Sequence, residues 1–278
     1  MGKSEKVQLK IALLQFCAGS DKAGNLSKAL TLSQKALEGG AKFILLPEVF
    51  NFRGDGKNKE LFTKMREKIP GPSTNAFVPL AKKHNASFLL GSVLEKARSA
   101  GAYNTSVFIN SRGTIVAKYR KIHLFDARIG DKIVTEADCF RAGQRPATVK
   151  IGKFRIGFSI CYDLRFPELY QNYARKGVEI LTVPSCFTKK TGEAHWETLL
   201  RARAIENLSY VLAPNQVGID ARGMQAYGNS MIISPWGEVI ARGSATAQEI
   251  IFGEIDFEEI RKARSILPGI IKTGNAHG

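Results

Sequence analysis

Three residues of different chemistry stand in the same kind of place along the chain. Glu48 follows the apolar run Phe43-Ile44-Leu45-Leu46-Pro47, Lys121 follows Ile115 to Arg120, and Cys161 follows Ile156-Gly157-Phe158-Ser159-Ile160. A thiol is a nucleophile, a carboxylate accepts protons, and an ammonium group offers fixed positive charge to an oxyanion, so the three together suit acyl transfer. Small residues before Cys161 and a helical pattern from Pro167 predict a sharp strand-to-helix turn that lifts the thiol out of a sheet. Backbone N–H groups at such a turn, with a lysine nearby, favour thiolate over a thiol whose unperturbed pKa is about 8.5. Gly157-x-Ser159-x-Cys161 approaches the G-x-S-x-G elbow of serine hydrolases but has Cys at the second Gly position, so the serine reading fails its pattern.

Other chemistries have less support. Of the four histidines, His84, His123, His195 and His277, only His123 lies near a strand end, which leaves a Cys161–His123 dyad as the minor alternative. There is no His-x-His, no His-Glu-x-x-His and no Cys-x-x-Cys, and Gly2-Lys3-Ser4 lacks the glycine loop of a phosphate cradle. No metal and no cofactor are expected.

The elements that must carry these residues follow an alternating pattern. Val7 to Phe16 reads as a buried strand, Asn25 to Leu37 as a helix stopped at Gly39-Gly40, and Lys42 to Leu46 as a second strand. A helix from Ser73 or Thr74 to His84 and strands Ser87 to Leu94, Tyr103 to Asn110 and Thr114 to Tyr119 follow. The second half repeats the element order: strand Phe154 to Ile160, helix Pro167 to Arg175, strand Val178 to Val183, helix Ala194 to Asn207, strand Tyr210 to Ala213. A hairpin, Gly228 to Ser234 with Glu238 to Arg242, strand Glu249 to Ile255 and helix Phe257 to Ser265 complete it. Strand–helix–strand alternation predicts an α/β fold with helices on the outer faces, where ligands sit at the carboxyl ends of strands.

Three blocks in series resemble the carbon–nitrogen hydrolase (nitrilase) superfamily: Leu45-Leu46-Pro47-Glu48, Tyr119-Arg120-Lys121-Ile122-His123-Leu124, and Cys161-Tyr162-Asp163-Leu164-Arg165-Phe166-Pro167-Glu168. The similarity continues through Gly192-x-Ala194-His195-Trp196-Glu197, Arg201 to Asn207 and Ser234-Pro235-Trp236-Gly237, covering about residues 7 to 260. The resemblance implies a single-domain, four-layer α-β-β-α sandwich and a Glu48–Lys121–Cys161 triad, with Glu136 as a supporting glutamate and the Tyr162 backbone N–H as a second oxyanion donor. The block after Cys161 is similar to the branch of ω-amidases and deaminated-glutathione amidases, which implies amides rather than nitriles as substrates. Nitrilase and N-carbamoyl amine hydrolase activities remain the alternatives within the superfamily. Arg53, His123, Arg165, Phe187, Lys189 and His195 are the candidates for substrate contacts, and Cys186, where relatives often carry a small apolar residue, reads as a space filler. Homodimers or larger homo-oligomers, formed through the helices near 167–175 and 194–207, are a further implication. The ending Leu267-Pro268-Gly269-Ile270-Ile271 departs from that branch.

Composition bounds the rest. At 278 residues with 44% hydrophobic and 24% charged side chains, the chain has material for a large core and is neither a disulfide-stapled miniprotein nor disordered. We expect a tail at 1–6, one domain at 7–266 and a tail at 267–278. No apolar run approaches the roughly 20 residues of a membrane span, and no leader is recognised, so a cytoplasmic protein with free thiols is expected. The net charge of +16 raises polyanion binding with an unused triad as a reading of another class. Its basic residues are scattered in pairs such as Lys82-Lys83 and Lys189-Lys190, which argues against a nucleic-acid partner on sequence grounds.

Overall fold

The computed structural model describes residues 8–54, 58–98, 101–129 and 132–269. The expected tail at 1–6, and all but the first three residues of the one at 267–278, lie outside them. The first half runs β1 (Gln8–Gln15), α1 (Lys22–Glu38), β2 (Phe43–Leu45), α2 (Lys59–Met65), α3 (Pro72–Asn75), α4 (Val78–His84), β3 (Ser87–Lys96), β4 (Ala102–Ile109) and β5 (Ile115–Arg120). A hairpin, β6 (Asp126–Ile129) and β7 (Lys132–Thr135), leads to β8 (Thr148–Ile151), β9 (Phe154–Phe158), α5 (Pro167–Arg175), β10 (Ile180–Thr182), α6 (Lys189–Asn207) and β11 (Tyr210–Ala213). A second hairpin, β12 (Val217–Ile219) and β13 (Gln225–Tyr227), precedes β14 (Met231–Ile233), β15 (Val239–Arg242), β16 (Glu249–Asp256) and α7 (Phe257–Ile266).

Two six-stranded sheets result, in the orders β16-β1-β2-β3-β4-β5 and β8-β9-β10-β11-β14-β15. Each has three parallel strands in the middle, one antiparallel strand on one side and two on the other. The resemblance between the halves in element order therefore extends to sheet topology. Successive side chains on a strand point to opposite faces, and in β1 both faces are covered. Ile11 and Leu13 join a core shared with Phe154, Ile156 and Phe158 of the second sheet, while Ala12 and Leu14 join a second core with Ala29, Leu32 and Ala36 of α1. The Phe108 and Phe158 rings stack 6.3 Å apart across the two sheets. With α1 and α4 outside one sheet and α5 and α6 outside the other, the chain is a single-domain α-β-β-α sandwich.

Several boundaries differ from the sequence expectation, each for a local reason. The helix expected from 73 to 84 is split into α3 and α4, because Pro79 has no N–H to donate and its ring collides with the carbonyl four residues earlier. Helix α6 starts at Lys189 rather than Ala194: the Thr188 side chain caps it by accepting from the Thr191 N–H. Gly192 lies in the first turn of α6, where the missing side chain makes room for Tyr227: a Cβ there would come within 2.2 Å of that ring. The sequence patterns do not mark the hairpins β6–β7 and β12–β13, and both bring residues to the site.

Candidate active site

Glu48 stands three residues beyond β2, Lys121 immediately beyond β5, and Cys161 three residues beyond β9. The approach of the Glu48 segment depends on Gly91 of β3, where a Cβ would lie 1.8 Å from the Leu46 carbonyl oxygen. Cys161 opens a 3-10 turn, Cys161–Arg165, with φ of +49°, in the left-handed region that non-glycine residues rarely occupy. Asp163 holds that turn in place. Its Oδ2 accepts from the Ile160 N–H at 2.9 Å and the Tyr119 hydroxyl at 2.7 Å, while its Oδ1 accepts from the His123 N–H at 2.9 Å. One buried carboxylate thereby ties the Cys161 turn to the segment that carries Lys121.

The Lys121 side chain is fully buried. Its Nζ donates to Glu48 Oε1 at 2.9 Å and to Glu136 at 3.1 Å (Oε1) and 2.8 Å (Oε2). Glu136 follows β7 and also accepts from the Phe125 N–H at 2.8 Å. The Glu48 carboxylate is completed by Asn104 Nδ2, 2.8 Å from Oε1, and by the Cys186 N–H, 3.0 Å from Oε2. Burial alone would push the Glu48 carboxyl up, but the charges of Lys121 and Arg53 outweigh it and hold the group below the ordinary carboxylate range. Burial likewise works against the Lys121 ammonium, and Glu136 and Glu48 overcome it, keeping the group charged well above its ordinary range.

The thiol behaves differently from the sequence expectation of a thiolate. Burial raises the Cys161 pKa well above its ordinary value, and the negative charge of Glu48 adds to that effect, while Lys121 and the Cys186 N–H pull in the other direction without prevailing. A carboxylate thus faces a neutral thiol at rest. That arrangement supports proton transfer from sulfur to Glu48 as the nucleophile attacks.

These groups open onto a cavity of about 600 Å³ lined by Glu48, Glu136, Cys161 and Tyr162, among others. Of the substrate-contact candidates, Arg53, Arg165, Phe187 and Lys189 line it, and Cys186, expected as filler, is also in its wall. Burial pushes the Cys186 thiol up to about 11. The structure does not bring His123 into the cavity lining. Its ring stacks on Phe166 with centroids 3.6 Å apart, and its Nδ1 lies 2.7 Å from Asp163 Oδ1, so it serves the scaffold. His195 is likewise outside the lining; its Nδ1 lies 3.3 Å from Arg165 Nη2.

The cations are not equivalent. Arg53 Nε donates to Asp220 Oδ2 at 2.7 Å, and Asp220 is shared with Arg222. Lys189 lies 3.9 Å from Glu193. Arg165 has no carboxylate partner among the described residues; its guanidinium lies 5.8 Å from the Tyr162 ring centroid and 5.6 Å from that of Phe187. Sequence reasoning passed over Asn104, Asp163 and Asp220. An Asn inside a strand was the available signal for the first, since strands are depleted in Asn.

The fold and the convergent carboxylate, ammonium and thiol define a class of protein: hydrolases acting on carbon–nitrogen bonds. The chain belongs to the carbon–nitrogen hydrolase family, whose profile matches residues 10–265. It is 36% identical to human omega-amidase NIT2 over 93% of this chain and 92% of that protein. It is 39% identical to the nitrilase and fragile histidine triad fusion protein NitFhit of Caenorhabditis elegans, over 93% of this chain and 59% of that longer protein. The crystal structure of Saccharomyces cerevisiae Nit3, described as a member of branch 10 of the nitrilase superfamily, superposes with a TM-score of 0.84 at 32% identity, covering 94% of both chains. Among the described residues, no helix is long and apolar enough to cross a membrane.

Proposed function

We propose that the protein is a cysteine-dependent amidase that hydrolyses a small linear amide carrying a carboxylate away from the scissile bond. The observation that carries the reading is the Glu48 carboxylate beside a neutral Cys161 thiol, with the Lys121 ammonium fixed between two carboxylates. As Cys161 Sγ attacks the amide carbon, its proton passes to Glu48. Lys121 and the Tyr162 N–H stabilise the oxyanion. Glu48 then gives the proton to the departing nitrogen, the C–N bond breaks, and a thioester remains on Cys161. Water enters, loses a proton to Glu48 and attacks the thioester. Collapse breaks the C–S bond, the proton returns to sulfur, and the acid leaves. Glu136 holds Lys121 in position throughout.

The carboxylate specificity rests on Arg165, an anchored cation in the cavity wall that has no carboxylate partner among the described residues. Similarity to human omega-amidase NIT2 supports ω-amides, and deaminated-glutathione-like amides fit the same charge pattern. The test is a panel of ω-amides of dicarboxylic acids, deaminated glutathione, uncharged aliphatic amides, carbamoyl amines and nitriles, with ammonia or amine release and acid product measured. We expect turnover of carboxylate-bearing amides, an acyl adduct on the Cys161 peptide in intact-protein mass spectrometry, and no turnover in Cys161→Ala. Arg165→Met should raise KM for the charged amides by about 10- to 100-fold, the loss of one charge-assisted contact, and leave uncharged amides unaffected. Turnover of nitriles alone, or an adduct on Cys186, overturns the reading. Association into a homodimer through α5 and α6 is part of the same proposal.

A further inference from the structure

An ionised carboxylate offers about four acceptor positions. On Glu48 two are taken on Oε1, by Lys121 Nζ and Asn104 Nδ2, and one on Oε2, by the Cys186 N–H. We propose that Asn104 is a positioning residue for the hydrolytic reaction: with Lys121 it saturates Oε1 and stops the carboxylate rotating, which leaves Oε2 as the oxygen that exchanges protons with Cys161 and water. The proposal rests on the role given to Glu48 above.

Among the described residues the Asn104 side chain makes no other hydrogen bond. Its main-chain carbonyl, not its amide group, accepts from the Lys121 N–H at 2.8 Å, and its backbone pairs with Leu94 across the sheet. The side chain is buried, and its Oδ1 has no hydrogen-bond partner among the described residues. A strand position that needed only packing would be filled without leaving a buried carbonyl unpaired. Asn104 is also absent from the cavity lining, so it does not select substrate. The groups around Glu48 are Lys121 with Glu136 behind it, Arg53 with Asp220 behind it, and the thiols of Cys161 and Cys186. Amid these charges a neutral donor fixes the carboxylate without the further loss of basicity that another cation would cause.

The experiment compares wild type, Asn104→Leu and Asn104→Asp with succinamic acid, the monoamide of succinic acid, measuring kcat and KM across pH together with thermal unfolding. In Asn104→Leu, similar in size but without a donor, kcat should fall about 10- to 100-fold, a part of the 10²–10⁴ contributed by acid–base catalysis. KM should stay within about threefold, because no cavity contact is lost. The acidic limb of kcat/KM should move to higher pH, since Glu48 loses a bond that favours its ionised form. In Asn104→Asp the protonated acid can donate to Glu48, so activity should survive at low pH and decline as the shared proton is lost, with a descending limb absent from wild type. Wild-type turnover and acylation of Cys161 are established first, and their absence counts against the amidase reading rather than against Asn104. With both present, a wild-type pH profile in the variants, a loss confined to KM, or a kcat loss with no displaced limb overturns the proposal. Should Asn104→Leu fail to fold, the pH profile of Asn104→Asp decides the matter alone.

Discussion

Replacing Lys121 by Met would keep most of the side-chain stem and remove the charge that separates Glu48 from Glu136. In the native protein the ammonium makes three contacts of 2.8–3.1 Å with these two carboxylates and is shielded from water. Removing one partner from a buried ion cluster costs about 3–5 kcal/mol, because the charges left behind are uncompensated. At about 2.1 cal/mol/K per residue, unfolding of this chain carries an entropy near 0.6 kcal/mol/K, so Tm should fall by about 5–9 °C. The loss should depend on pH with a definite sign. Without Lys121 the two carboxylates repel, and the folded protein binds a proton at a pH above the ordinary glutamate value of about 4.3. The variant is therefore closest to wild type at low pH and falls further behind as pH rises through that raised pKa. Turnover should drop by at least the 10²–10³ associated with one oxyanion donor. Thermal unfolding of both proteins at pH 5 and pH 8, followed by circular dichroism, measures the gap. A Tm loss below about 2 °C, or a gap equal at the two pH values, would refute the view that this ammonium neutralises two ionised carboxylates.

Asp220, held down to about 2 against burial by Arg53 and Arg222, contributes stability that is complete above the ordinary Asp pKa and is lost as pH falls from about 4 to 2. Acid unfolding of Asp220→Asn should lack that component, and an unchanged acid transition would contradict it. Cys161→Ser should retain the fold and lose nearly all turnover, because a hydroxyl is far less acidic than a thiol and Glu48 is too weak a base to ionise it; a seryl variant with near wild-type kcat would contradict this. Light scattering at micromolar concentration should give the mass of a dimer or larger assembly, and a monomer would exclude association through α5 and α6.

Much of the architecture could be read from periodicity, because a strand buried on both faces must be apolar along its length. Ile11 to Leu14 and Phe43 to Leu46 are such runs, and the end of the second located Glu48, just as the ends of β5 and β9 located Lys121 and Cys161. Local chemistry misled where a side chain answers to a distant contact. His123, the histidine near a strand end, is held outside the cavity lining because Asp163, forty residues on, takes its ring nitrogen. The charge states were beyond the sequence for the same reason. Lys121 suggested a thiolate when considered beside Cys161, but burial and the carboxylates of Glu48 and Glu136 reverse the balance. Those carboxylates lie 73 and 15 residues from Lys121, and the Cys186 N–H reaches Glu48 across 138. Residue types and strand ends are local properties that a sequence carries outright; desolvation, and which donors complete a carboxylate, exist only once distant segments have packed.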